Sequence, residues 1–263
     1  MINKDSLMAQ EYIKPGGVSG YKVLDFHAHM GNLVNSYMPF GSAEKMLYLM
    51  DQSNVRCTLF SGHNDLTMGN RFIHDEIEIC KRYPGRFKLY MTVFSRHCDF
   101  KKDIALFEAN REHFAGFKLH PSYSGIRPDH PLNEPYLEYA DIHGLPVLGH
   151  TWRGLEEPYE NVLKRYKNLK LIGGHCFFDR WDFTARLALS YENFYPELTA
   201  VLVKRGALEE MVSVCGSKKI LFGCDIPWFS YTYYIGALFS ADISDEQRQD
   251  ILWNNGAALL NMT

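Results

Sequence analysis

The chain has 263 residues, of which 46% are hydrophobic, and a formal net charge of −3. That length suits one large α/β domain, and the near-neutral charge, with no long basic run, excludes an electrostatic footprint for nucleic acid or a membrane surface. No apolar stretch is long enough to cross a bilayer, the N-terminus has no apolar core of a secretory signal, and the scattered cysteines form no CxxC pair, so a cytoplasmic setting is expected.

Short β-rich apolar runs alternate with segments of mixed apolar and charged faces. The spacing predicts strands over 21–29, 55–62, 86–94, 115–121, 145–151, 169–176, 193–200 and 219–225. Helices are predicted over 42–53, 70–83, 101–114, 134–144, 157–167, 179–191, 203–216 and 244–261. The last of these opens on Ser244, with Glu246 and Gln247 in the first turn, a helix-start pattern. Eight strand–helix units in this length predict an α/β fold of the (β/α)8 TIM-barrel type, a single domain over 21–263 preceded by an N-terminal extension over 1–20. A doubly wound open sheet is the competitor. Against it, no GxGxxG follows the first strand; GGVSG at 16–20 precedes it.

The first predicted strand ends in Asp25-Phe26-His27-Ala28-His29. Side chains two apart on a strand share a face, so Asp25, His27 and His29 line one side. Two imidazoles on one face can hold a metal ion, although an HxH triplet alone also arises by chance. The other strand ends repeat the theme. Lys118 and His120 close the fourth, His150 the fifth, His175 the sixth and Asp225 the eighth. In a barrel these ends converge on one mouth. Buried histidines and carboxylates are costly without partners, and a shared cation would satisfy several together. The donor set suits a divalent metal, zinc first, with Mn2+, Fe2+ or Co2+ also compatible. Asp25 has two readings: a hydrogen bond to a metal-bound histidine or a pairing with Lys118. His63, after the second strand, is read as a rim or locally bonded residue.

Six motifs follow one another along the chain: DFHAH (25–29), GFKLHP (116–121), PVLGHT (146–151), GGHC (173–176), LFGCDIPW (221–228) and NNGAALLN (254–261). With them the chain resembles the amidohydrolase superfamily, in the branch of amidohydrolase-2 and aminocarboxymuconate-semialdehyde-decarboxylase-like proteins. The resemblance implies a metal-dependent barrel with its metal site at the C-terminal mouth of the strands, holding one metal, with a second less favoured in this branch. It implies His27, His29, His150 and Asp225 as metal ligands, with Asp225 and His175 as the catalytic acid/base groups. It places Lys118 in the pocket, or carbamylated between two metals as in some relatives. The glutamate that some relatives use at the fourth strand is absent.

The activity expected from the resemblance is hydrolysis of a C–N, C–O or lactone bond by a metal-activated water. The alternative is a metal-dependent non-oxidative decarboxylase or hydratase, a lyase on the same site. A barrel without catalysis, serving as a binding protein, is a third possibility. Trp152 and Arg153 follow His150, Tyr123 and Arg127 follow His120, and Trp228 follows Asp225. Lys118, Arg153, Trp152, Tyr123 and Trp228 are therefore the expected substrate-binding residues, for a small carboxylate- or ring-containing molecule. The expected partner is that small molecule, with no nucleic acid and no membrane. The aromatic content of 14% is compatible with a homodimer or higher homo-oligomer.

Overall fold

The computed structural model describes residues 5–14, 20–33 and 36–262. The remaining residues, among them Gly16–Ser19 of the GGVSG motif, lie outside the described residues. Seven parallel strands follow one another in chain order in a single sheet. They are β1 (Val23–Met30), β2 (Val55–Gly62), β3 (Phe87–Thr92), β4 (Phe114–Leu119), β5 (Pro146–His150), β6 (Lys170–Gly174) and β7 (Phe194–Pro196). β1 is buried along its whole length, as expected of a strand covered on both faces. One side of the sheet encloses a core that includes Leu24, Phe26, Tyr90, Leu148 and Ile172. The other packs against the helices through a larger cluster that includes Phe60, Phe107, Phe117, Tyr159 and Leu171.

The eighth expected strand is not a ladder strand. Residues 221–226 make two isolated parallel bridges, Glu197↔Leu221 and Ala28↔Ile226. Their backbone nevertheless bonds in both directions. Leu221 N–H donates to Pro196 O at 2.8 Å, Phe26 N–H to Phe222 O at 3.0 Å and His29 N–H to Ile226 O at 2.8 Å. The segment thus lies between β7 and β1 and joins the two edges of the curled sheet. Extended pairing stops because Asp225 has a left-handed backbone, φ 59°, a conformation that L-residues adopt at a cost.

The expected helices occur at Ala43–Gln52, Ile73–Arg82, Phe100–Ala109, Glu134–His143, Glu156–Arg165, Trp181–Ser190 and Ala207–Cys215. Ser244 caps the last segment: its hydroxyl accepts from Gln247 N–H, and the Gln247 side chain accepts from Ser244 N–H. That segment is α-helical over Asp245–Gln249, widens to a π turn over Asp250–Asn254 and closes as Asn255–Leu259. A helix at Tyr231–Ser240 was not among the expected elements. It buries Tyr231, Tyr234, Ile235, Leu238 and Phe239, and Tyr12 of the short N-terminal helix Leu7–Tyr12 stacks on Phe239. Among the described residues no helix is long and apolar enough to cross a membrane.

Candidate active site

The C-terminal ends of the strands meet at a cavity of about 420 Å³. β1 supplies His27 and His29, β5 ends in His150, and His175 follows β6 directly. His175 is aimed by an unusual turn. Residues His175, Cys176, Phe177 and Phe178 all have positive φ, from 48° to 70°. Two buried threonines hold this strained path: Phe177 N–H donates to Thr151 Oγ1 at 2.9 Å, and Thr184 Oγ1 donates to Cys176 O at 2.9 Å. Gly174 precedes the turn, and a Cβ there would lie 2.8 Å from Gly149 O and 3.1 Å from His27 Cε1. Its missing side chain is the space the His27 ring occupies.

His27 is fully buried. Its Nδ1 lies 2.7 Å from Glu197 Oε2, and its Nε2 lies 2.8 Å from Lys118 Nζ and 3.8 Å from Asp225 Oδ1. A carboxylate at Nδ1 places the ring proton there and leaves the Nε2 lone pair facing inward. His29 is oriented the same way. Its Nδ1 is 3.1 Å from both the Ser61 carbonyl oxygen and the Ser61 hydroxyl; the carbonyl can only accept, which favours the proton on Nδ1. The bare Nε2 then sits 3.1 Å from Asp225 Oδ1, an oxygen without a hydrogen bond. Two lone pairs that close repel unless a proton or a cation lies against them.

Further unsatisfied atoms face the same region. Both ring nitrogens of His175 and the Nδ1 atoms of His150 and His120 are buried without hydrogen-bond partners. Uncompensated groups of this kind cost about 1–3 kcal/mol each. His27, His175 and Asp225 offer ligand atoms within 4.8 Å of one another. The residues therefore fit a divalent cation, by donor type and by their missing partners. The compact group contains His175, not His150; His29 adjoins it through Asp225, and His150 adjoins it through His175, with ring centres 4.4 Å apart.

Burial, reinforced by the Lys118 charge, holds His27 well below the usual histidine range, and burial with His27 beside it does the same for His175. Burial also pushes Lys118 down to about 8 and Glu197 up to about 7. For Asp225 burial acts upward, but the neighbouring His27 and His29 outweigh it and hold the carboxyl well below the usual carboxylate range. Burial thus disfavours the protonated ring at His27 and at His175, while Asp225 is held in its ionised form.

Several expected residues are elsewhere. Arg153 reaches away from the cavity to Asp179, its Nε 2.7 Å from Oδ1, and Arg127 forks onto its neighbour Asp129. Among the described residues no arginine lines the cavity. Lys118 lies beneath the cavity and meets His27, not solvent. Trp152, Tyr123 and Trp228 do line it, joined by Phe178 and Phe229. One wall is a column of rings: Tyr123 stacks on His120 at 4.1 Å, His120 on His150 at 4.0 Å, and Trp152 lies parallel to His150 at 5.6 Å.

Asp25 meets His27, one of the histidines expected at the metal, but through its backbone N–H and not its ring, and it does not pair with Lys118. Its carboxylate accepts from His27 N–H at 3.0 Å, Cys224 N–H at 3.1 Å and Tyr231 Oη at 2.8 Å. It ties β1 to the segment that carries Asp225. Glu197 was not foreseen, although it follows β7 as the other site residues follow their strands. His63 lines the cavity, with Nδ1 on Gly31 O and Nε2 accepting from Trp228 Nε1.

A parallel α/β sheet curled around its core, with a histidine–carboxylate cavity where its strands end, defines a TIM-like barrel. The chain belongs to the amidohydrolase family: the family model described as Amidohydrolase matches residues 25–262. No curated protein matches it. Solved structures similar in fold include an uncharacterized TIM-barrel protein from Bordetella bronchiseptica, 17% identical over 91% of this chain and 98% of that one, TM-score 0.76. A dihydroxybenzoic acid decarboxylase from Polaromonas, solved with manganese and the inhibitor 2-nitroresorcinol, is 16% identical over 92% and 97%, TM-score 0.73. A Pseudomonas putida protein provisionally named a 2-pyrone-4,6-dicarboxylic acid hydrolase is 17% identical over 91% and 97%, TM-score 0.73.

Proposed function

We propose that this protein is a metal-dependent hydrolase that acts on a small, planar, ring-containing substrate at a C–N, C–O or lactone bond. The observation that carries the reading is the set of unpartnered buried atoms on His175, His150 and Asp225 around one aromatic-walled cavity. His27, His29, His175 and Asp225 would hold a divalent cation, zinc before manganese on donor type. When bound, such a cation supplies Lewis acidity, which makes water a better nucleophile at neutral pH.

The chain's own groups do the rest. Asp225, ionised and with Oδ1 uncommitted, accepts a proton from water and returns it to the leaving atom. His175 keeps one nitrogen free when the other holds the cation, and the N–H there donates a hydrogen bond to the substrate. Glu197 fixes the His27 ring from behind at Nδ1, and Lys118 lies against its inward-facing Nε2. Trp152, Phe178 and Trp228 hold the ring of the substrate and exclude water. With no arginine in the described lining, the part of the substrate that lies among these rings is uncharged.

A second reading is decarboxylation of a hydroxylated aromatic acid, favoured by the position of His175, whose free nitrogen could deliver a proton to a ring carbon. A single screen separates the two. The zinc- and manganese-loaded protein is offered aromatic lactones and anilides, read by acid release, and hydroxybenzoates, read by carbon dioxide release. Turnover of the neutral set supports the hydrolase, turnover of the acids supports the lyase, and turnover of neither overturns both.

A further inference from the structure

The cavity has a second space behind one of its walls. A cavity of about 350 Å³ lies between the segment at 226–232 and the helix Ala43–Gln52, bounded by Phe40, Leu49 and Tyr231. Trp228 and Phe229 line both spaces. They form the partition between the space beside His29, His175 and Asp225 and the space behind it.

The partition is pinned at one point. Trp228 Nε1 donates to His63 Nε2 at 3.0 Å, and His63 Nδ1 donates to Gly31 O at 2.9 Å. The indole and imidazole planes meet edge to face, at 86° with centres 5.8 Å apart. Both nitrogens of His63 are therefore committed. Unlike those of His175, they are not free for a cation or a substrate. His63 is nearly fully buried, whereas Trp228 is 44% exposed. A half-exposed indole on a loop has little packing to fix its rotamer, so the hydrogen bond to a rigid, buried acceptor sets its position.

We propose that Trp228 is a specificity-determining residue and His63 the residue that positions it, together setting the length of ring system that the active-site cavity admits. With the latch closed the cavity takes one ring against Trp152 and Phe178. With the indole removed or released, the reacting space opens into the one behind it, and a two-ring molecule fits. This inference rests on the ring-substrate reading above.

The test compares two neutral probes, resorcinol and 1,3-dihydroxynaphthalene, by calorimetric titration of the full chain. Wild type is expected to favour the single ring. Trp228→Ala is expected to shift the affinity ratio toward the double ring by about tenfold or more, the scale of a pocket-size change. Trp228→Phe and His63→Leu, both gentler on the fold, are expected to shift the ratio in the same direction by less. His63→Gln, which keeps an acceptor for the indole, is expected to shift it least. A ratio unchanged in Trp228→Ala and Trp228→Phe, with resorcinol still bound, overturns the partition alone. A shift in the Trp228 variants with none in His63→Leu overturns the latch. Binding of neither probe to any of these proteins overturns the ring-substrate reading, and the partition with it.

Discussion

Replacing Glu197 should damage folding and metal binding together, and by separable amounts. Its Oε2 lies 2.7 Å from His27 Nδ1 and its Oε1 accepts from Thr199 N–H at 2.6 Å, with both side chains of the His27 pair wholly buried. Glu197→Ala strands both donors. Each unsatisfied donor costs about 1–3 kcal/mol, so the variant should lose about 2–6 kcal/mol, a large share of the stability of a single domain. Glu197→Gln keeps the shape and one acceptor, so one donor is stranded and the loss should be about 1–3 kcal/mol. In both variants the His27 ring loses the carboxylate that fixes its tautomer, and affinity for a divalent ion should fall about 10–100-fold. Urea unfolding reads the first effect, and competition with a chelating dye for zinc or manganese reads the second. A Glu197→Gln protein with the wild-type midpoint and the wild-type affinity would refute the reasoning.

Burial, with Asp65 nearby, holds the Glu76 carboxyl well above the usual range, and burial pushes Asp65 up to about 6. Raised carboxyl groups bind protons more tightly in the folded state, so their contribution is fully present below the unfolded values near 4 and is lost as pH rises through the folded ones. Glu76→Gln should therefore flatten the fall of the urea midpoint as pH rises above roughly 4; an unchanged slope would count against this pair. Gly174→Ala should displace His27 and cost about 1–3 kcal/mol as an overpacked site, read by thermal melting and by the same dye competition. Arg153→Ala, which breaks an exposed, solvent-screened pair with Asp179, should leave the melting temperature nearly unchanged and resorcinol titrations as they are; a clear loss of affinity would return Arg153 to the cavity.

The strands were legible because each is a short apolar run bounded by turn residues, and all seven ladder strands overlap the expected spans. The eighth was legible as a position and not as a ladder: nothing in KILFGCD announces the left-handed backbone at Asp225 that ends its pairing. The helix Tyr231–Ser240 was hidden by composition. Its Tyr, Thr and Ile residues favour strands, yet its buried set at 231, 234, 235, 238 and 239 follows a helical period that a closer count would have found. His27, His29, His150, His175 and Asp225 were readable from one rule, a polar residue ending an apolar strand. The same rule applied to NFYPELTA would have reached Glu197. Arg153 was misplaced because its partner Asp179 lies 26 positions along the chain, a pairing that only the fold brings about. The Asp25 carboxylate was expected to bond a metal-site histidine or Lys118; it meets His27 only through the backbone, and Cys224 N–H and the Tyr231 hydroxyl complete its shell, contacts that a side-chain pattern does not encode.

The central claim is that His27 Nε2 and the uncommitted atoms of His175 and Asp225 together hold a divalent cation. Elemental analysis of the purified wild-type chain, before and after incubation with Zn2+ or Mn2+ and alongside His175→Ala and Asp225→Asn, tests it most directly. The account predicts about one equivalent of divalent metal per chain in the wild type, sharply reduced in both variants while their circular dichroism spectra stay folded. A folded wild-type protein that takes up neither ion, or variants that hold it as tightly as the wild type, would contradict it.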